Sequence, residues 1–574
     1  MDQPVPGPRG DQLRYRPVAD RGRAGAHAPG LELMAVAIGS GDALLRVRDL
    51  GVAFAGQGAP VTAVNNASFE LHAGEVLGIV GESGSGKSVT LRAIMGLLPA
   101  TASITGSVRF DGQEILGMDP ESLRQMRGRS LSMIFQNPSS HLDPLMTIGR
   151  QVAEPLLQHE KMRPAKARES AIKILGEVRI DRPEQRAANY PHQLSGGMKQ
   201  RAMIASAIAC RPRLLLADEP TTALDVTVQA HILALLADLN RSRGLTMVLV
   251  SHDLAVIAQV CDRIVVMKDG EVVEQGLAGE LVTAPRHPYT QRLIDSQPGR
   301  LAAVAAAPTA ATTDSPLLEI RNLGVQFRLP RTGLLRPKEL LKAVDDVSIG
   351  LQRGETLGIV GESGSGKSTV ARAIMGLETP AQGDVLLDGR SIRVGRLAGQ
   401  PDFRRRIQMA FQNPFDSLNP RFTVRQTIVE PLRKHRLVPA DRFDARVAEL
   451  MALVELDPRL ADRKPGQLSG GQCQRVGIAR ALVMEPEILI ADEITSALDV
   501  TIQAQIIELL SRLRSQTGLS VIFISHDLAL VRSFCHRVAV FEAGRVVETG
   551  NVEKVLSEPQ HPYTQTLIAS VPEL

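Results

Sequence analysis

Eight residues able to wrap a phosphate occur twice in this chain. Gly81, Glu82, Ser83, Gly84, Ser85, Gly86, Lys87 and Ser88 return as Gly361, Glu362, Ser363, Gly364, Ser365, Gly366, Lys367 and Ser368. In a loop of the form G-x-x-x-x-G-K-[ST], glycines let backbone N–H groups converge on an anion, and the helix that follows points its positive end at the same place. Lys87 and Lys367 would then meet the β- and γ-phosphates of a nucleotide, and the hydroxyls of Ser88 and Ser368 would ligate Mg2+. A flexible glycine turn is the plain alternative. Two matches, each after an apolar strand and before a helix, argue against it.

Further polar groups recur downstream in the same order. Asp218-Glu219 and Asp492-Glu493 each end an apolar strand. The first carboxylate is placed to hold Mg2+ through water, and the second can polarise an attacking water as general base. His252 and His526 stand at the ends of the next strands, within Ser-His-Asp and equally far after a Glu, which favours a role at the γ-phosphate over a merely hydrogen-bonded strand end. Adjacent residues on one strand do not supply a hydrolase triad, which is a spatial arrangement. Ser195-Gly196-Gly197 and Ser469-Gly470-Gly471 each open an Arg- and Ala-rich helix. A serine hydroxyl with free N–H groups at a helix start is a second anion site, although alone it need be no more than an N-cap.

These groups need a sheet edge to converge on. Short alternating strands open each half, Leu44 to Val52 and Ala67 to Leu71, then Leu317 to Val325 and Val347 to Leu351. Buried strands from Glu75 to Val80 and Glu355 to Val360 run into the glycine loops, and Ser88 to Leu98 and Ser368 to Leu377 read as helices. Apolar strands follow at Leu214 to Asp218, Thr246 to Ser251, Ile488 to Asp492 and Ser520 to Ser525. Strands buried on both faces with crossover helices imply an α/β fold with a parallel sheet and ligands at its carboxyl edge. The stretches from Gln136 to Ser195 and from Gln412 to Ser469 read as inserted helical subdomains.

Bulk properties agree with two large domains. The chain has 574 residues, 44% of them hydrophobic, and a formal charge of +4, from which alone a nucleic-acid surface cannot be argued. Four scattered cysteines without a C-x-x-C pair favour reduced thiols in a cytosolic protein over a disulfide framework or metal cluster. No apolar run approaches the ~20 residues of a membrane span, so any membrane role is peripheral. Residues 1–42, rich in Pro, Gly, Arg and Ala, read as a disordered leader, and 297–316 as a linker between domains at 43–296 and 317–574.

Taken together, the phosphate loops, Asp-Glu strands, histidines and Leu-Ser-Gly-Gly signatures resemble the ATP-binding cassette family over both halves. The resemblance implies two tandem P-loop NTPase domains, each with a mainly parallel core sheet, an antiparallel β subdomain and an inserted helical subdomain. It implies two cassettes packed head to tail around two ATP molecules with Mg2+. One site would join Lys87, Asp218, Glu219 and His252 to Ser469, Gly470 and Gly471; the other would join Lys367, Asp492, Glu493 and His526 to Ser195, Gly196 and Gly197. By the same resemblance Asp225 and Asp499 cross between sites, Gln136 and Gln412 sense Mg2+ and touch the transport partner, and Phe54 and Phe327 fall where an aromatic stacks on adenine. The first signature continues with Met198 where the second has the common Gln472. Both sites keep Lys, Asp, Glu and His, so both are expected to hydrolyse ATP.

Arg286-His287-Pro288-Tyr289-Thr290 and Gln560-His561-Pro562-Tyr563-Thr564 resemble the extension of bacterial oligopeptide and dipeptide importers. That implies an ATPase on the cytosolic membrane face, bound to two permease subunits and served by an extracytoplasmic solute-binding protein, with no nucleic acid. A soluble twin-cassette protein acting on ribosomes or DNA is the rival reading; its long charged linker is missing here. A non-enzymatic nucleotide-binding scaffold is a third, against which the complete catalytic sets argue. The cargo stays open among peptides, glutathione, nickel chelates and some sugars.

Overall fold

A computed structural model describes residues 43–55, 60–222, 224–297, 315–328, 340–392, 401–496 and 498–571. The leader expected over residues 1–42 lies outside them, as does most of the linker. Each half repeats one plan: a four-stranded antiparallel sheet and a six-stranded, mostly parallel sheet.

In the first half the six-stranded sheet runs Glu271–Leu277, Arg263–Lys268, Val76–Val80, Thr246–Ser251, Leu214–Asp218, Leu131–Ile134. All neighbours are parallel except the edge pair Glu271–Leu277 and Arg263–Lys268. The second half repeats the order with Arg545–Asn551, Arg537–Glu542, Thr356–Val360, Ser520–Ile524, Ile488–Asp492 and Ile407–Ala410. Parallel strands all finish at one edge, so the phosphate loop, the Asp-Glu pair, the histidine and the glutamine arrive together.

Alternation of side chains across the pleat explains why these strands are apolar on both faces. Leu215, Ala217, Met247 and Leu249 face a core shared with the helices Ile148–His159, Pro164–Glu177, Gly196–Ile208 and Val226–Arg243. Leu214, Leu216, Val248 and Val250 face a second core shared with the helix Lys87–Ile94 and the antiparallel strands Leu45–Phe54 and Val61–Leu71. The corresponding residues of the second half divide the same way. Among the described residues no helix is long and apolar enough to cross a membrane.

Two local readings are adjusted by the structure. The helix after each phosphate loop covers Lys87–Ile94 and Lys367–Ile374, shorter than the spacing suggests. Gly96 and Gly376, at φ of 61° and 65°, end them, and Leu97 and Leu377 N–H groups donate back to Arg92 and Arg372 carbonyls in a left-handed cap. The strands expected to begin at Ala67 and Val347 run from Val61 to Leu71 and from Leu340 to Leu351, their first residues exposed.

Candidate functional site

The phosphate loop leaves Val80 and closes at Gly86, which caps the helix with φ of 95°. A side chain would be strained there and would also meet the Ala63 carbonyl at 2.5 Å; Gly366 repeats this with Ala343 at 2.4 Å. The helices beginning at Gly196, Val226 and Leu254 are capped by Ser195, Asp225 and Asp253, whereas neither loop helix has a side-chain cap. Their first N–H groups are left to a ligand. Glu82, Ser83 and Gly84 line the open side of the loop, as do Glu362, Ser363 and Gly364, while Ser85 and Ser365 are buried.

Lys87 is buried and folded back on its own loop. Its Nζ donates to the carbonyls of Gly81 at 2.6 Å and Glu82 at 2.7 Å; Lys367 does the same to Gly361 at 2.8 Å and Glu362 at 2.7 Å. Burial lowers the pKa of Lys87 against the opposing pull of Glu219, Asp218 and Asp499. Burial likewise lowers that of Lys367 against Glu493, Asp225 and Asp492. Asp499 and Asp225 belong to the opposite half in each case, so a carboxylate of each half lies near enough to the other half's lysine to favour its charged form.

Ser88 Oγ donates to Asp218 Oδ1 at 2.7 Å, and Ser368 Oγ to Asp492 at 2.9 Å. Burial raises the pKa of both aspartates, with the serine hydrogen bonds acting the other way. An all-oxygen pair of hydroxyl and carboxylate beside a phosphate loop fits Mg2+. Ser365 Oγ is buried without a hydrogen-bond partner beside the second loop, a polar atom that an anion would satisfy.

Glu219 follows on the same strand end with φ of 46°, and Glu493 with φ of 47°. This left-handed turn swings each carboxylate over the sheet edge. Gln136 Nε2 at 2.7 Å and Thr222 Oγ1 at 2.8 Å both donate to Glu219 Oε2, and His252 Nδ1 lies 3.6 Å from that oxygen. Burial would push Glu219 up, but His252, Thr222 and Lys87 together hold it down at about 2. Burial would push His252 down, and the Glu219 carboxylate raises it instead. In the second half Gln412 Nε2 donates to Glu493, but Ser496, at the position of Thr222, gives its hydroxyl to the Glu493 main-chain carbonyl at 2.9 Å. His526 occupies the same strand end.

The rest of Ser-His-Asp is local architecture. Ser251 and Ser525 hydroxyls accept the N–H of Asp253 and Asp527 at 3.0 Å, and those aspartates cap the helices Leu254–Val260 and Leu528–Phe534. Only the histidine is left to the site.

Ser195 and Ser469 cap the signature helices Gly196–Ile208 and Gly470–Leu482. Gln472 Oε1 accepts the Ser469 N–H at 3.0 Å and completes a capping box; Met198 cannot. A Cβ on Gly197 would meet Val228 Cγ1 at 2.6 Å, and one on Gly471 would meet Ile502 at 2.7 Å. Val228 and Ile502 sit on the helices Val226–Arg243 and Val500–Thr517, whose N-caps are Asp225 and Asp499. Each signature thus abuts the helix whose cap faces the other half's lysine; Gly196 and Gly470 lie at the same turns. Phe54 is half-buried against the antiparallel-sheet core and pairs with Val61, two residues from Ala63 at the loop; Phe327 pairs with Leu341, two from Ala343.

The ABC transporter family model matches residues 64–222 and 344–496. The chain belongs to the ABC transporter family. As an ABC ATPase it binds and hydrolyses ATP in transport and works with membrane permease components. A second model, described as the oligopeptide/dipeptide transporter C-terminal region, matches residues 273–321 and 547–574. Among curated relatives, this ABC protein is 44% identical over 559 residues to the glutathione import ATP-binding protein GsiA of Pectobacterium atrosepticum, covering 92% of this chain and 89% of that one. It is 43% identical to GsiA of Escherichia coli strain K12 with the same coverage. It is also 43% identical to the peptidoglycan transport ATP-binding protein YejF of Agrobacterium fabrum, covering 92% of this chain and 96% of the relative.

Motif reading did not single out Thr222 or the hydroxyls of Tyr289 and Tyr563, which accept the N–H of Glu82 at 3.0 Å and of Glu362 at 2.9 Å. The only sequence signal for the tyrosines was the repetition of His-Pro-Tyr at one offset.

Proposed function

We propose that this ABC ATPase drives uptake of a peptide-class solute, glutathione and peptidoglycan being the cargoes named for similar proteins. It would dock at the cytoplasmic membrane face on two separate permeases served by an extracytoplasmic binding protein. The repeated His-Pro-Tyr extension and the relatives' identities support that class.

Each ATP would lie between a phosphate loop of one half and a signature of the other. What supports this is the packing of each signature glycine, Gly197 and Gly471, on the helix capped by Asp225 or Asp499, whose charges reach Lys367 and Lys87 of the opposite half. Ser88 and Asp218, and Ser368 and Asp492, would hold Mg2+ near Gln136 and Gln412; when bound, the ion supplies neutralisation of phosphate charge. Lys87 and Lys367 would leave their loop carbonyls for the phosphates. Glu219, ionised throughout the neutral range, would orient the attacking water through Oε1, since Gln136, Thr222 and His252 all meet Oε2. The loose transition state of phosphoryl transfer asks mainly for such positioning and charge. His252 and His526 would stand by the γ-phosphate, Phe54 and Phe327 by the adenine.

Replacing Glu219 and Glu493 together by Gln should leave MgATP binding within a few-fold and cut hydrolysis by about a hundredfold or more. A double variant that hydrolyses ATP like the parent would remove the assigned carboxylates from the chemistry. Co-purification of two permeases from membrane extract is the expected partner result; recovery with ribosomes from a soluble extract would overturn it.

A further inference from the structure

We propose that Tyr289 and Tyr563 are positioning residues through which each His-Pro-Tyr extension clamps the first peptide of its own phosphate loop and so sets the affinity for MgATP. The inference rests on the loops being the nucleotide sites.

Every residue of the motif has a part in aiming the phenol. Glu274, on the edge strand Glu271–Leu277, accepts the N–H groups of Arg286 at 2.8 Å and His287 at 3.1 Å, fixing the extension to the sheet that carries the loop. His287 Nδ1 accepts the Tyr289 N–H at 3.1 Å and caps the helix Pro288–Asp295, and Pro288 presets the first turn. Tyr289 is thereby buried, with Lys268 Nζ 5.4 Å from its ring centroid, and its hydroxyl receives the Glu82 N–H. The second half repeats the hydrogen bonds, with Glu542 in place of Lys268 and a half-buried ring: Glu548 holds Gln560 and His561, His561 caps Pro562–Ala569, and Tyr563 receives the Glu362 N–H.

The two ends of one peptide unit are thus held from opposite sides. The Gly81 carbonyl accepts Lys87 while the following N–H, on Glu82, is held by Tyr289. Gly81 has no slack, because a Cβ there would meet the Met267 carbonyl at 2.1 Å. When Lys87 swings to phosphate, the tyrosine keeps the vacated peptide from turning. A loop fixed beforehand loses less freedom on binding, which favours affinity over turnover. Burial first, then the charges of Glu82 and the opposite half's Asp499, push the Tyr289 phenol up to about 12, so its hydroxyl stays neutral at working pH.

Tyr289→Phe with Tyr563→Phe in the full chain keeps the rings and removes only the acceptors. The KM for MgATP should rise about fivefold to tenfold, with kcat within about twofold and the nucleotide-free melting temperature almost unchanged. Binding of adenosine, which lacks phosphates, should not change. An unaltered KM, a loss confined to kcat, or an equal loss for adenosine would each overturn the proposal. A parent chain that failed to bind MgATP would overturn the site assignment and this inference together, whereas equal binding by parent and double variant would overturn this inference alone.

Discussion

Asp499, the N-cap of Val500–Thr517, turns its charge on the ammonium of Lys87 in the other half of the chain, and Asp225 answers it at Lys367. A carboxylate that caps a helix beside one signature while its charge reaches the opposite lysine makes each lysine's surroundings depend on both halves.

Asparagine caps helices as well as aspartate does, so Asp499→Asn isolates the charge from the cap. With Glu493→Gln silencing the second site, Asp499→Asn should slow MgATP turnover at the first by a factor of about five, the scale of one partly screened charge interaction. Asp225→Asn in that background should have the smaller effect. Steady-state hydrolysis by the two pairs of variants checks the order.

The carboxylates at the two sites are supported differently. Thr222→Val removes a hydroxyl that donates to the Glu219 side chain, whereas Ser496→Ala removes one bonded to the Glu493 main chain. Thr222→Val should slow the first site about fivefold. Ser496→Ala should leave the second within about twofold, measured with the opposite glutamate changed to Gln.

Met198→Gln should complete the capping box that Gln472 makes in the second half. The expected gain is about 0.5–1 kcal/mol in stability of the first half, with MgATP turnover unchanged. Urea unfolding of parent and variant measures it.

Acid should weaken the second half through a buried histidine. His536 Nδ1 accepts the Thr356 N–H at 2.9 Å, and burial with the Arg514 guanidinium beside it lowers its pKa to about 4. The unfolded chain binds this proton nearer pH 6.5, so the neutral folded form contributes stability above that pH, and the contribution fades as pH falls toward 4. The slope is at most about 1.4 kcal/mol per pH unit. In the first half Asp262 accepts the equivalent Val76 N–H, at 2.8 Å. His536→Asn should flatten the decline in melting temperature between pH 6.5 and 4.

Much of this arrangement was legible in the residues. Parallel strands end where their polar residues begin, so Val80, Asp218 and Ser251 mark one sheet edge in the sequence itself. The apolar run Leu131–Ile134, which brings Gln136 in, was too short to announce itself as a strand. Gly96 looked like one more residue of a helix because a left-handed cap depends on backbone angles rather than composition. Tyr289 stood far down the chain from Glu82, and its hydrogen bond is to a main-chain N–H, which leaves no complementary side chain for a motif to record.

Glu219 and Glu493 occupy a backbone region that glycine enters freely and other residues enter at a cost of about 1 kcal/mol. Selection for durability alone would favour glycine at both places, and under the proposed assignment the result would be a sturdier molecule unable to spend ATP. The retained acid at each bend marks where this protein gives up robustness for work.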